Sequence, residues 1–204
     1  MNRALGGAVL AWLLVLTTSA SAHSQIMGIG GVPGGVLHAL LIPEHGMSLV
    51  ALGVALGRQD HTARRFAALV FIVALTAGLV AIGLAVETSF ATDALLAATA
   101  ILGLLIAAAW LPPLLVLPLA AVAGVMFALD SPPEANSTDE AVRMLIGSGI
   151  GAMLALALLA EGSSHFRSAA VRIVTRVLGS WIAAIAILDL SLRIATRLAT
   201  GSIS

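Results

Sequence analysis

The sequence predicts an all-α membrane protein: a cleaved signal peptide followed by a bundle of six transmembrane helices. Three observations carry this reading. Only 10% of the 204 residues are charged and 60% are hydrophobic, against roughly 25% charged in a soluble domain. Mean hydropathy is +1.09, and apolar runs of about 20 residues, enough to cross a hydrocarbon core of about 30 Å, recur along the chain. Leu, Ala, Val and Ile carry these runs, whereas an outer-membrane barrel would alternate over segments of roughly ten residues. The formal net charge is zero and all ten basic residues are arginine. With no cysteine, disulfides, thiolate metal sites and Cys nucleophiles are excluded.

Residues 1–22, MNRALGGAVLAWLLVLTTSASA, have the form of a secretory signal peptide. Arg3 supplies the basic region, Ala4 to Leu16 the apolar region, and Ala20-Ser21-Ala22 the small-residue cleavage site. Residues 23–204 then form the six-span domain, starting outside the cytoplasm at His23. The expected spans are 36–56, 66–86, 94–110, 113–129, 141–160 and 171–192. The loops between them differ in charge. GRQDHTARR and EGSSHFRSAAVR carry arginines, while ETSFATD and DSPPEANSTDE carry six acidic residues and no basic one. Because arginine-rich loops stay cytoplasmic, the chain is expected in the bacterial inner membrane with its N-terminus outside. Arg143, Arg193 and Arg197 fall on the outer side and run against this pattern. Gly53/Gly57 and Gly147/Gly151 have the small-xxx-small spacing of close helix crossings.

The first span, VLHALLIPEHGMSLVALGVAL, contains His38, Glu44 and His45. An ionised group in such a run costs roughly 2.5–3.5 kcal/mol on insertion scales, so something must compensate. Seven residues of regular helix would separate the two histidines by about 10 Å along the axis. Pro43 changes this geometry. It removes a backbone donor, frees the Ala39 carbonyl and disfavours a continuous helix. A break at 41–43 would start a new segment at Pro43, with Glu44 and His45 in its first turn. Broken helices at membrane depth are tolerated where they line a cavity, and transporters use them to hold ions. Imidazoles with a carboxylate suit a divalent transition metal such as nickel, cobalt, copper or zinc. A terminal His23 would add an α-amine and an imidazole to that set. His61 and His165 read as surface histidines, and Asp130 and Glu161 as interfacial charges. Asp189, inside the last span, has Arg193 four residues on as a partner.

These residues resemble the HupE/UreJ family of small nickel/cobalt permeases. The family motif H-P-L-x-G-x-D-H is matched by HALLIPEH at His38, Glu44 and His45, with glutamate for aspartate. The cleavage junction, the glycine-rich approach and RVLGSWIAAIAILDL (Arg176, Gly179) are also similar, so the resemblance covers most of the mature chain. Two departures stand out. Ala39 takes the place of the family proline, and FALD (Asp130) and LLAEG (Glu161) stand where the family carries histidines at the ends of spans four and five. Either carboxylates replace imidazoles there or the site has degenerated.

The resemblance implies a permease or facilitator for nickel, or cobalt, bound by His38, Glu44, His45 and His23, with the ion as substrate and no prosthetic group. The alternative is a non-transporting, metal-binding accessory of hydrogenase or urease maturation. Expected partners are the divalent ion, the lipid bilayer and maturation proteins, and no nucleic acid. No nucleotide-binding P-loop is present. An enzyme is not expected, since GSGIG around Ser148 has no histidine within its span to act as base.

Two measurements check this reading. Intact mass of the membrane-extracted protein should correspond to a start at His23, and retention of Met1 or Asn2 overturns cleavage. In this cysteine-free chain, an impermeant thiol reagent should label Ser137→Cys and spare Thr62→Cys; the reverse inverts the topology.

Overall fold

The computed structural model describes residues 29–84, 88–133, 135, 137–165 and 168–201. Among these residues the fold is all-helical, with no strand. The helices are α1 (Gly31–Leu41), α2 (Pro43–Gly57), α3 (His61–Gly83), α4 (Ala91–Ala108), α5 (Pro113–Leu129), α6 (Thr138–His165) and α7 (Ala169–Thr200). The expected signal segment and His23 lie outside the described residues.

Each expected span holds helix among its described residues. Helices α3, α4, α6 and α7 are long and apolar enough to cross a membrane. α1 and α2 pass the same test as a pair, bent by 72° at Ile42. The fourth stretch, α5, has 17 residues and is about 25 Å long. The last helix runs over 32 residues, from Ala169 to Thr200, and so extends well past residue 192. Large apolar side chains point outward along α3 and α7, including Leu69, Val73, Val80, Leu188 and Leu192. Lipid tails solvate such a surface at no hydrophobic cost.

The local sequence accounts for the helix ends. Asp60 caps α3 by accepting from the Thr62 and Ala63 amides at 2.9 Å. Ser168 caps α7 by accepting from the Val171 amide. α4 ends with Ala109 in the left-handed region at φ 56°, where Trp110 N donates to Leu105 O. That position usually holds glycine. The Leu111-Pro112-Pro113 sequence then opens α5 with Pro113 at its first position.

Nearly every residue of α2 from Ser48 to Gly57 is buried. α2 is therefore the central post, packed by α6 on one side and by α4 and α5 on others. Water-free helix association depends on close backbone approach, and both glycine pairs singled out by spacing lie at crossings with or from α6. Gly147 meets Val32 and Gly151 meets Val36 of α1, while Gly53 and Gly57 face Leu159 to Ser163 of α6. Ser163 Oγ also donates to the Gly53 carbonyl at 3.0 Å. A further pair, Gly103 and Gly179, joins α4 to α7. A Cβ on Gly103 would sit 2.7 Å from Ala183 N and 2.8 Å from Gly179 O. Backbone lies on both sides, so no side chain can move aside.

Gly103→Leu should therefore force α4 from α7 and cost about 1–3 kcal/mol, the range for overpacking. The thermal midpoint in detergent measures this. Gly162→Ala, whose Cβ would meet nothing within 4 Å, should leave the midpoint nearly unchanged.

Candidate metal site at the break of the first span

Pro43 has no amide hydrogen to continue the ladder, and it pushes Ile42 into the extended region (φ −72°, ψ 122°). α1 stops at Leu41, Ile42 N still reaching His38 O at 3.4 Å, and α2 restarts at Pro43. The 72° bend brings the last turn of α1 close to the first turn of α2. His38 and His45, seven residues apart, come to a ring-centroid distance of 5.8 Å in an edge-on arrangement. The break anticipated from Pro43 is thus present, and it joins the two histidines.

His45 is fully buried and stacks at 4.2 Å on Phe127 of α5. Its Nε2 lies 3.1 Å from Asp130 Oδ2, at the C-cap of α5. An ionised carboxylate can only accept, so a neutral His45 holds its proton on Nε2. Thr92 Oγ1, in the first turn of α4, donates to the other Asp130 oxygen. The carboxylate is thereby fixed on both oxygens. His45 Nδ1 is buried and without a hydrogen-bond partner among the described residues, and in that tautomer it carries a lone pair.

Glu44 goes elsewhere. Successive residues of a helix point about 100° apart, so Glu44 and His45 cannot share a face. Glu44 Oε1 accepts from Arg193 Nη2 of α7 at 2.9 Å. Arg193 Nε also reaches the Asp189 carboxylate at 3.4 Å. One turn on, Arg197 pairs with Asp93 of α4. The bend brings His38 to His45 but not Glu44 to either, and among the described residues no three His, Asp or Glu groups are arranged to hold an ion.

The two helix-end carboxylates, Asp130 and Glu161, part company. Asp130 contacts His45, whereas Glu161 lies at the opposite end of the bundle, exposed, with Arg64 at 3.6 Å and His165 at 3.7 Å. Reading Asp130 as an interfacial charge missed its role as the hydrogen-bond partner of His45. Its position in FALD was the available signal. Thr92 and Phe127 gave none, because their roles depend on how α4 and α5 pack on α2. Ser148 is buried and its Oγ makes no hydrogen bond among the described residues, so no base adjoins it.

Neither a comparison with curated proteins nor one with solved structures finds a match. The family model described as "HupE / UreJ protein" matches residues 11–188. That span includes both halves of the broken helix and the Asp130 and Arg176 segments. By this match over most of its length, the chain is a multi-pass membrane protein of the HupE/UreJ family.

Proposed function

We propose that the chain is a permease or facilitator for nickel, or for cobalt, and that the ion passes the broken first span on His45 and His38. One observation carries the reading: the buried, unpartnered Nδ1 of His45 beside the His38 ring. Metal-binding imidazoles commonly donate their other N–H to a carboxylate, which sets the tautomer and raises the basicity of the binding nitrogen. The His45–Asp130–Thr92 chain has that form. In this reading Asp130 positions His45 and offsets part of the cation's charge. Glu44 becomes available to the ion when Arg193 falls back on Asp189 alone. His23, freed by signal cleavage, brings a further imidazole and an amine from outside. The chain then crosses the inner membrane six times, with α5 as one crossing and α1–α2 as another, its N-terminus outside and its arginine-rich loops in the cytoplasm.

The second reading, a membrane protein that binds the metal for metalloenzyme maturation without moving it, draws support from Glu44. Its pairing with Arg193 leaves a sparse ligand set. The family is linked to both nickel/cobalt uptake and metalloenzyme maturation.

Radiometal uptake into proteoliposomes, at limiting nickel or cobalt and equal protein abundance, separates the two. The permease accumulates ion in the lumen, whereas an accessory protein binds a stoichiometric amount and stops. His45→Ala should abolish uptake, with Glu44→Gln and His38→Ala close behind. Asp130→Asn keeps the shape but loses the oriented carboxylate, and should raise the half-saturating metal concentration about 10–100-fold. His61→Ala and His165→Ala should be nearly silent. Uptake by His45→Ala at the parental rate overturns the proposed role of this site.

A further inference from the structure

At the opposite end of α2, about 20 Å from His45 along the helix, the structure has a second polar feature. A cavity of about 670 Å³ opens between the end of α2, the α4–α5 turn and the first turns of α7. Arg58, Arg172 and Arg176 line it, with Thr175 among them. None of the three arginines has a carboxylate partner among the described residues, in contrast to Arg64, Arg143, Arg193 and Arg197.

The arginines are held in different ways. Arg58 Nη2 donates to Thr175 Oγ1 at 2.8 Å, and Arg176 Nε donates to the Ala107 carbonyl at 2.8 Å. These bonds orient two guanidinium groups and leave further N–H donors on each. Among the described residues the Arg172 side chain makes no hydrogen bond or ion pair. Three like charges around one cavity repel one another unless an anion joins them, and guanidinium groups match phosphate oxygens with paired donors.

The cavity does not end in solvent on every side. A second cavity of about 340 Å³ shares Ile173 and Arg176 with it and continues along α7 past Val177 and Ser180, against Ala107 of α4. Ile173, Val174 and Val177 are largely exposed on this side, on a helix apolar enough to lie in lipid. A basic pocket thus opens into a groove in which Ala107, Ile173 and Val177 form an apolar strip along α7, beside Ser180.

We infer that this is a binding site for an anionic phospholipid, with the headgroup phosphate on Arg58, Arg172 and Arg176 and an acyl chain in the groove along Ile173 and Val177. Free phosphate shares the headgroup chemistry but has nothing to place in the groove. Basic pockets between membrane helices suit anionic headgroups on general grounds, and here the groove supplies the apolar half of the ligand. The site is separate from the histidine pair.

Native mass spectrometry of the full chain in detergent, titrated with phosphatidylglycerol, phosphatidylcholine or inorganic phosphate, tests the assignment. The parent should retain phosphatidylglycerol in preference to phosphatidylcholine. Arg172→Gln should weaken that preference about fivefold, the effect of one surface arginine on an anionic lipid, and Arg172→Lys should largely keep it. Because the Arg172 side chain holds no other described residue in place, the thermal midpoint of Arg172→Gln without lipid should equal the parent's. Val177→Trp should reduce retention of long-chain phosphatidylglycerol and spare a short-chain form. Equal retention of both lipids by the parent, or unchanged preference in Arg172→Gln, overturns the site. Phosphate binding as tight as phosphatidylglycerol binding, or no effect of Val177→Trp, overturns its assignment to a lipid.

Discussion

The missing amide hydrogen of Pro43 is the constraint on which the rest of the arrangement depends. A continuous helix through residues 31–57 would hold His38 and His45 two turns apart, on one face and out of contact. The 72° bend at Ile42 brings the rings together and lets the second half, α2, run down the centre of the bundle. Burial of α2 follows from its sequence: from Leu49 to Gly57 it carries only aliphatic residues and glycine. α5 then delivers Asp130 and Phe127 to His45, and α4 delivers Thr92 to Asp130. Each of these contacts assumes the place that the break gives His45.

Much of this was legible because it is local. Hydrophobic runs mark each helix, the loops mark their ends, and X-Pro in an apolar run marks the break. The small-xxx-small pairs marked real crossings, since only residues without bulk admit a neighbouring backbone. What could not be read is the partner of each buried charge. Glu44 and His45 are adjacent in sequence, which suggests a shared role. Their side chains nevertheless diverge by a quarter turn or more, one toward α7 and the other toward α5. Asp130 and Glu161 were equivalent on paper, each a carboxylate at a helix end. Packing puts one beside a buried imidazole and the other in an exposed cluster at the far end.

The arginines that ran against the charge asymmetry have a physical account in their partners. Arg143 is 2.7 Å from Asp139, Arg193 lies between Glu44 and Asp189, and Arg197 pairs with Asp93. Paired in this way, they add little net charge to their side of the bundle. They also explain why α7 is so long. Its last turns carry the cations that fasten the acidic starts of α2 and α4, and a helix ending near residue 192 would leave Glu44 and Asp93 without those partners.

The break also has an electrical side. A helix is a dipole, its carbonyl end negative and its amide end positive, each pole worth about half a charge. At Ile42 the negative pole of α1 meets the positive pole of α2 end to side. The Ala39 carbonyl, with no amide at position 43 to receive, belongs to the negative pole. Glu44, in the first turn of α2, sits at the positive one, where a carboxylate is favoured. The bend therefore sorts charge within a few residues: the carbonyl end of α1 lies on the His38 side of Ile42, and an acidic residue stands in the first turn of α2. Straightening the span would remove both poles from the middle of the chain and leave two imidazoles in a neutral rod.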